Sequence, residues 1–130
     1  MTRGLLLFIL RRVQKRVFII LFRRGKVMAT VLFIVKATIT KDREEAFNRW
    51  YNEEHIPQFL QFKGAVSARR YKAIVGEDKY QYMAVYELKD EATFRRLMES
   101  EHMKTLKAEY DAKFGSVSER ARFAYTQVWP

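Results

Sequence analysis

Two side chains four positions apart in the chain, Tyr51 and His55, could move protons on a bound molecule. Imidazole titrates near neutral pH, so His55 could act as a general base on an acidic C–H or phenolic O–H group of an aromatic molecule. The Tyr51 hydroxyl could donate a hydrogen bond to the enolate oxygen that develops in such a reaction. The alternative is structural: His55 caps its helix and holds the corner at Pro57 through hydrogen bonds to backbone carbonyls.

Five further residues are candidates for holding a substrate. Trp50 precedes Tyr51 and is expected in the core or in the wall of a pocket. Arg69 or Tyr71 could hold an anionic group of the ligand. Tyr82 and Tyr86 lie on one face of a predicted strand, where they could line a pocket or, equally, a sheet-to-sheet interface.

Several kinds of chemistry are excluded by residue type. The chain has no cysteine, which rules out disulfides, thiolate metal sites and cysteine nucleophiles. His102 is the only other histidine, so no cluster with zinc-ligand spacing exists. Glu53 and Glu54 are adjacent, and a helix points them about 100° apart. We therefore expect a protein without a metal or cofactor, in the cytoplasm.

The basic charge of the chain, +10 at neutral pH, is concentrated at its start. Residues 1–27 hold eight of the 25 basic residues and no acidic residue, so the rest of the chain carries no surplus that indicates nucleic-acid binding. The apolar runs at 5–10 and 17–22 are far shorter than the roughly 20 residues that span a bilayer. We interpret residues 1–28 as a basic amphipathic extension. It is either a misassigned start or appendage, or a peripheral membrane contact through residues 1–27.

Residues 29–130 are expected to form one α+β domain. The patterns predict a strand at 30–40, a helix from 42 that Pro57 interrupts, strands at 65–75 and 80–88 joined by a polar hairpin, a helix that begins at Asp90 or Thr93, a helix at 101–114, and a strand at 121–129. This order is that of the ferredoxin-like βαββαβ sandwich, a split antiparallel sheet with both helices on one face.

The central strands predict a homodimer. In this topology strands one and three are central, and both carry apolar or aromatic residues on their two faces. The helices cover only one face, and an exposed apolar patch indicates an interface or a ligand site. Two copies packed sheet to sheet around a twofold axis would bury it, forming a dimeric α/β barrel.

The segment at 47–57, with Trp50, His55 and Pro57, is similar to the EthD-like branch of the dimeric α/β-barrel superfamily. The segment at 62–71 and the tyrosine-rich strand at 82–86 extend the resemblance over nearly all of residues 29–130. The chain has Phe-Lys-Gly-Ala at 62–65, where the family pattern has a Pro-Gly-Phe turn. Such relatives include monooxygenase-like, cyclase-like and isomerase-like proteins that need no metal or cofactor, haem-linked proteins, and many with no known activity.

Three classes of function follow. The first is a cofactor-independent enzyme in which His55 carries out acid–base chemistry on a small hydrophobic or aromatic metabolite. The second is a non-catalytic module that binds such a metabolite, and the third is a structural dimerisation protein. A cavity beside His55 would favour the first two classes, and a solid interior with His55 bonded to backbone would favour the third.

Overall fold

One antiparallel sheet of four strands carries every helix of the domain on one face. The computed structural model describes residues 29–130, of which Ala29–Gln127 form one compact unit. Its elements are β1 (Val31–Ala37), α1 (Glu44–Trp50), α2 (Ile56–Phe59), β2 (Ala65–Lys72), β3 (Tyr82–Leu88), α3 (Glu91–Met98), α4 (Glu101–Phe114) and β4 (Arg120–Thr126). The strand order in the sheet is β2-β3-β1-β4. This confirms the predicted α+β, ferredoxin-like fold. The expectations for residues 1–28 lie outside the described residues.

The central strands alternate between two environments. In β1 the residues Val31, Phe33, Val35 and Ala37 are buried against the helices, and in β3 every second residue from Tyr82 to Leu88 is buried in the same way. Side chains of a strand point to opposite faces in turn, so the residues between them face away from the helices. That second face is covered by no element among residues 29–130, and its apolar members are partly exposed: Leu32, Ile34, Met83, Val85, Phe123 and Tyr125.

The first helix changes its geometry before Pro57. A 3-10 turn (Lys41–Arg43) leads into α1, and a π-helical segment (Tyr51–His55) then joins α1 to α2. The Ile56 N–H donates to the Tyr51 carbonyl, five residues back. A proline lacks an N–H and its ring clashes with the carbonyl four positions earlier. The wider turn accommodates Pro57. The regular α-helix is therefore interrupted before Pro57, as the sequence predicted, and helical structure continues through Phe59.

The two helices in the second half of the domain, α3 and α4, are both capped where they begin. The Asp90 side chain accepts a hydrogen bond from the Thr93 N–H at the start of α3, and Ser100 accepts one from the Met103 N–H at the start of α4. Such caps satisfy N–H groups that the helix itself leaves free. They fix α4 along the sheet edge formed by β4. Within residues 29–130, no helix is long and apolar enough to cross a membrane.

An aromatic cluster attaches the first helix to the rest of the domain. Phe47 is fully buried, and its ring centroid lies 5.0 Å from that of Tyr51, 5.2 Å from Phe114 and 6.0 Å from Tyr110. Edge-to-face packing of this kind adds to the stability gained from burial itself. The cluster therefore sets where α1 and the following π-helical segment lie above the sheet.

Candidate functional site

A small cavity lies between the helices and the sheet. The space that can hold the centre of a water molecule is about 20 Å³, which is about what one water needs. Most of its lining is apolar or aromatic: Phe33, Val35, Tyr51, Phe59, Tyr86, Met103 and Leu106, together with His55. Three cationic side chains lie at its rim: Lys107, Arg120 and Arg122. The structure thus brings both predicted catalytic residues, Tyr51 and His55, to one cavity.

The π-helical segment determines which residues enter this cavity. In a regular α-helix, spacings of three and four residues would put Glu54 on the same face as Phe47 and Tyr51. The structure has Tyr51 and His55 buried and Glu54 exposed. A π turn is wider than an α turn and rotates less per residue, so position 55 replaces position 54 on the inner face. Wide turns of this kind occur frequently at functional sites.

His55 is buried, and one of its two ring nitrogens has no hydrogen-bond partner within residues 29–130. Its ring stacks on Trp50 at a centroid distance of 4.4 Å and meets the edge of Tyr51 at 4.9 Å. Its Nδ1 atom is fully buried and makes no hydrogen bond within residues 29–130. The expected alternative, His55 as a cap bonded to backbone carbonyls, is not the arrangement seen for Nδ1.

Burial keeps the His55 ring neutral. It lowers the pKa of His55 to about 4, and the positive charges of Arg120 and Arg70 act in the same direction. At neutral pH the imidazole therefore presents one nitrogen lone pair and one N–H group. It is able to accept a proton or a hydrogen bond from a molecule in the cavity.

The cavity also holds a second unsatisfied polar group. The Tyr86 hydroxyl is buried and has no well-formed hydrogen bond within the described part of the chain, although the Tyr51 hydroxyl is near enough to influence its pKa. Burial raises the pKa of both tyrosines well above the usual range. Both hydroxyls therefore remain protonated and can donate hydrogen bonds.

Arg70 is a site residue that the sequence interpretation passed over. Its guanidinium lies 4.4 Å from the Tyr51 ring centroid and donates to the side-chain oxygens of Asn48 at 2.8 Å and Asn52 at 3.0 Å. These contacts hold Tyr51 from the side away from the cavity. The strand alternation of β2, which places Arg70 with Ala68, was the signal that could have found it.

The five predicted binding residues lie in three different places. Tyr86 lines the cavity, and Trp50 forms the support behind His55. Tyr82 faces the helices but lies outside the cavity lining, where its hydroxyl bonds to Asn48 and Glu44. The structure does not bring Arg69 and Tyr71 to His55, because both lie on the opposite face of the sheet.

The rim residues Lys107, Arg120 and Arg122 were also missed. Arg120 and Arg122 are two positions apart in β4 and pair with the helix-facing residues Ala37 and Val35. A two-residue period in the strand was the available signal. Among residues 29–130, no group of three histidine, cysteine or acidic side chains could hold a metal ion. Haem, the runner-up ligand that the family resemblance suggests, is far larger than the space for about one water molecule beside His55 and would need a much greater rearrangement than a single aromatic ring.

Removing the Tyr86 hydroxyl is expected to stabilise the fold. A buried hydroxyl without a partner costs about 1–3 kcal/mol, so Tyr86→Phe should raise the free energy of unfolding by about 1 kcal/mol. The matched control is Tyr82→Phe, which removes a hydroxyl bonded to Asn48 and Glu44 and should lower stability by about 1 kcal/mol. Urea unfolding of both variants measures the difference, and a loss in Tyr86→Phe as large as in Tyr82→Phe would show that the Tyr86 hydroxyl is satisfied.

Solved structures share this fold. An EthD family protein from Bacillus halodurans matches with a TM-score of 0.61 and 15% identity, over 78% of this chain and 100% of that chain. A DABB family protein with a ferredoxin-like fold from Mesorhizobium loti matches with a TM-score of 0.57 and 11% identity, over 78% and 100%. A variant of SnoaB, a cofactor-independent oxygenase from Streptomyces nogalater, matches with a TM-score of 0.50 and 18% identity, over 78% and 95%.

At these identities the similarity establishes the fold, and it confirms at that level the predicted likeness to the EthD-like branch. No curated protein sequence matches the chain significantly. A family model described as a domain of unknown function, DUF4286, matches residues 30–122. The strands, the helices and the His55 cavity all lie within or at the ends of that matched segment. Because the match covers most of the chain, the chain belongs to the DUF4286 family.

Proposed function

We propose that the domain binds a small hydrophobic or aromatic molecule in the His55 cavity and performs acid–base chemistry on it without a cofactor. The observation that carries the proposal is a pair of buried polar atoms, His55 Nδ1 and the Tyr86 hydroxyl, that have no well-formed hydrogen bond within residues 29–130 and belong to two residues lining one small, mostly apolar cavity. Each unpaired group costs the fold stability. A ligand that hydrogen-bonds to both groups relieves this cost, so its polar atoms are recognised strongly.

The chemistry assigns separate roles to the polar groups. His55 accepts the proton, and the hydroxyls of Tyr51 and Tyr86 donate hydrogen bonds to the oxygen on which negative charge develops. A pKa of about 4 makes free His55 a weak base. An enolate or phenolate formed beside the ring raises that pKa, because an opposite charge favours the imidazolium. Proton transfer is thus coupled to the bound anion.

Ligand entry requires side chains to move. A cavity that fits about one water molecule must widen before it holds a six-membered ring. Met103 lines it, and an unbranched methionine side chain rearranges easily. Lys107, half exposed at the rim, can turn outward. The neighbouring Phe59 and Tyr86 rings are stacked at 3.9 Å and form a fixed surface for an aromatic ligand.

Binding can be tested with nitrogen-15 labelled histidine, because the chain contains only His55 and His102. Titration with β-naphthol should shift the ring signals of His55 and leave those of His102 in place. The His102→Gln variant assigns the two sets. A His55 spectrum that stays unchanged at saturating β-naphthol would count against an aromatic ligand in this cavity.

Catalysis can be tested by deuterium exchange of the acidic C–H group of β-tetralone in heavy water. General base catalysis contributes about 10²–10⁴-fold in rate, so His55→Gln should lower the protein-dependent exchange rate by about 100-fold. The His102→Gln variant is the control and should keep the wild-type rate. A His55→Gln protein that exchanges at the wild-type rate excludes the role as base.

The alternative function is non-catalytic ligand binding or structural dimerisation. The lowered pKa of His55 favours the binding alternative, because a ring that stays neutral at pH 7 keeps a lone pair that can accept a hydrogen bond but takes up a proton only weakly. A His55 shift with β-naphthol but no protein-dependent exchange of β-tetralone would select binding. Absence of both would select the structural role.

The same proposal includes a homodimer through the uncovered sheet face. Ile34 and Phe123 are neighbours across β1 and β4 on this face, and Phe123 is 40% exposed. Sedimentation should show a dimer at micromolar concentration, and Phe123→Glu should give a folded monomer because it places a charge in the interface. Leu60→Glu, at an apolar residue that is 39% exposed at the end of α2 on the helix side of the sheet, is the control that should remain dimeric. A wild-type monomer at micromolar concentration would contradict the pairing.

A further inference from the structure

The rim of the cavity carries positive charge that the surrounding domain leaves uncompensated. Arg120 and Arg122 project from β4 toward the helix side, and Lys107 reaches the same opening from α4. The side chain of Arg120 is only 15% exposed and forms an ion pair with Asp111 at 2.6 Å. Neither Arg122 nor Lys107 has an ion pair or a side-chain hydrogen bond with any other residue of 29–130.

The two arginines differ in how firmly they are held. The Arg120 guanidinium lies 3.7 Å from the Tyr110 ring centroid in addition to its ion pair with Asp111. Arg122 has no such partner. Partial burial, together with the like charge of Arg120, lowers the pKa of Arg122 from its usual range, and the carboxylate of Asp111, already paired with Arg120, opposes this shift. Arg120 is therefore a fixed structural cation, and Arg122 is a cation still available to a ligand.

The start of the chain, outside the described residues, also lacks acidic side chains that could pair with these cations. Residues 1–27 contain no aspartate or glutamate, so that segment supplies no carboxylate to Arg122 or Lys107. Arg122 is exposed at the rim, so its guanidinium is open to a ligand that arrives from solvent. An excess of positive charge at the mouth of an apolar cavity favours a ligand that carries negative charge.

We infer that the ligand of the His55 cavity is an aromatic monocarboxylate, whose carboxylate binds Arg122 at the rim and whose ring lies over Phe59 and Tyr86. This inference rests on the proposed ligand-binding function and adds the chemical class of the ligand. A guanidinium binds a carboxylate through two parallel hydrogen bonds. One free guanidinium suits a single negative charge, and the apolar floor of the cavity suits a ring.

The probes that test this inference are benzoate and benzamide, which have the same ring and differ in charge. Binding is followed through the His55 ring signals and by calorimetry with the full chain. Benzoate should bind about tenfold or more tightly than benzamide, because hydrogen bonds to charged groups are stronger than neutral ones. Arg122→Gln should remove this preference and leave benzamide binding unchanged, and Arg122→Lys should retain part of it.

The matched control is Arg69→Gln, which removes an exposed guanidinium from the opposite face of the sheet and should keep the full preference. Equal affinity for benzoate and benzamide in the wild-type protein would overturn the inference and leave the proposed function standing. A preference for benzoate that persists in Arg122→Gln would overturn the assignment to this residue. Binding of neither probe, with no His55 shift from β-naphthol, would overturn the proposed function and the inference with it.

Discussion

Acidification from about pH 6.5 to about pH 4 should cost the fold about 3 kcal/mol through His55 alone. The pKa of His55 is about 4 in the folded protein, lowered from 6.5 mainly by burial. Between these values the unfolded chain binds more protons than the folded one, so stability rises with pH. The His55 contribution is complete above about pH 6.5 and is lost as the pH falls to about 4. Urea unfolding at a series of pH values measures this slope.

The His55→Gln variant isolates that contribution, because glutamine does not titrate. Its stability should change little between about pH 6.5 and pH 5, where the wild-type curve already falls. Asp78 and Asp90 have pKa values lowered from 3.8 by their hydrogen bonds, so their effects come at lower pH and cancel in the comparison. His102→Gln leaves His55 in place and should retain the wild-type slope. Parallel curves for the wild type and His55→Gln would show that His55 is solvated in the folded state.

The substitution Gly64→Ala should destabilise the domain by about 3 kcal/mol or more. Gly64 has φ +105°, a conformation that residues with a Cβ rarely adopt. A Cβ there would also lie 2.5 Å from the Thr93 Cγ2 atom. Thr93 is almost fully buried and its hydroxyl donates to Asp90 at the start of α3, so it cannot move aside. Urea unfolding gives the loss.

Gly76 supplies a control with the same backbone strain and no steric conflict. It has φ +109°, and a Cβ at this position would meet nothing within 4 Å. Gly76→Ala should therefore cost about 1–2 kcal/mol, the strain alone. Adding Thr93→Ser to Gly64→Ala removes the Cγ2 atom and should recover part of the loss. Equal losses for the two alanine variants would show that the contact with Thr93 is unimportant.

The hydrophobic pattern was sufficient for the fold and for the order of the elements, and it placed the strand ends to within three residues. The helix predicted at 101–114 is α4, and the strands predicted at 65–75 and 80–88 are β2 and β3 with shorter ends. Apolar residues on both faces of β1 also predicted that one apolar face of the sheet would not be covered by the helices. Local patterns suffice here because burial on one face imposes a period of two on a strand and near four on a helix.

The candidate site was only partly visible in the sequence. His55 and Tyr51 were identified from residue chemistry, and the structure places both at the cavity. Arg69 was favoured over Arg70, although only Arg70 faces the helices. A strand pattern reports which residues share a face, but it does not say which face lies under the helices.

By itself the sequence determined the order of the elements, the two-sided apolar character of the central strands, and the candidate pair Tyr51 and His55. Tertiary structure decided two further features. The π-helical segment turns His55 inward and Glu54 outward. Arg122 of β4 lines the same cavity as Tyr51 and His55, which lie about 70 positions earlier in the chain. The reason is physical. Local propensity and periodicity act over a few residues, whereas a cavity forms where elements distant in the chain pack imperfectly against one another.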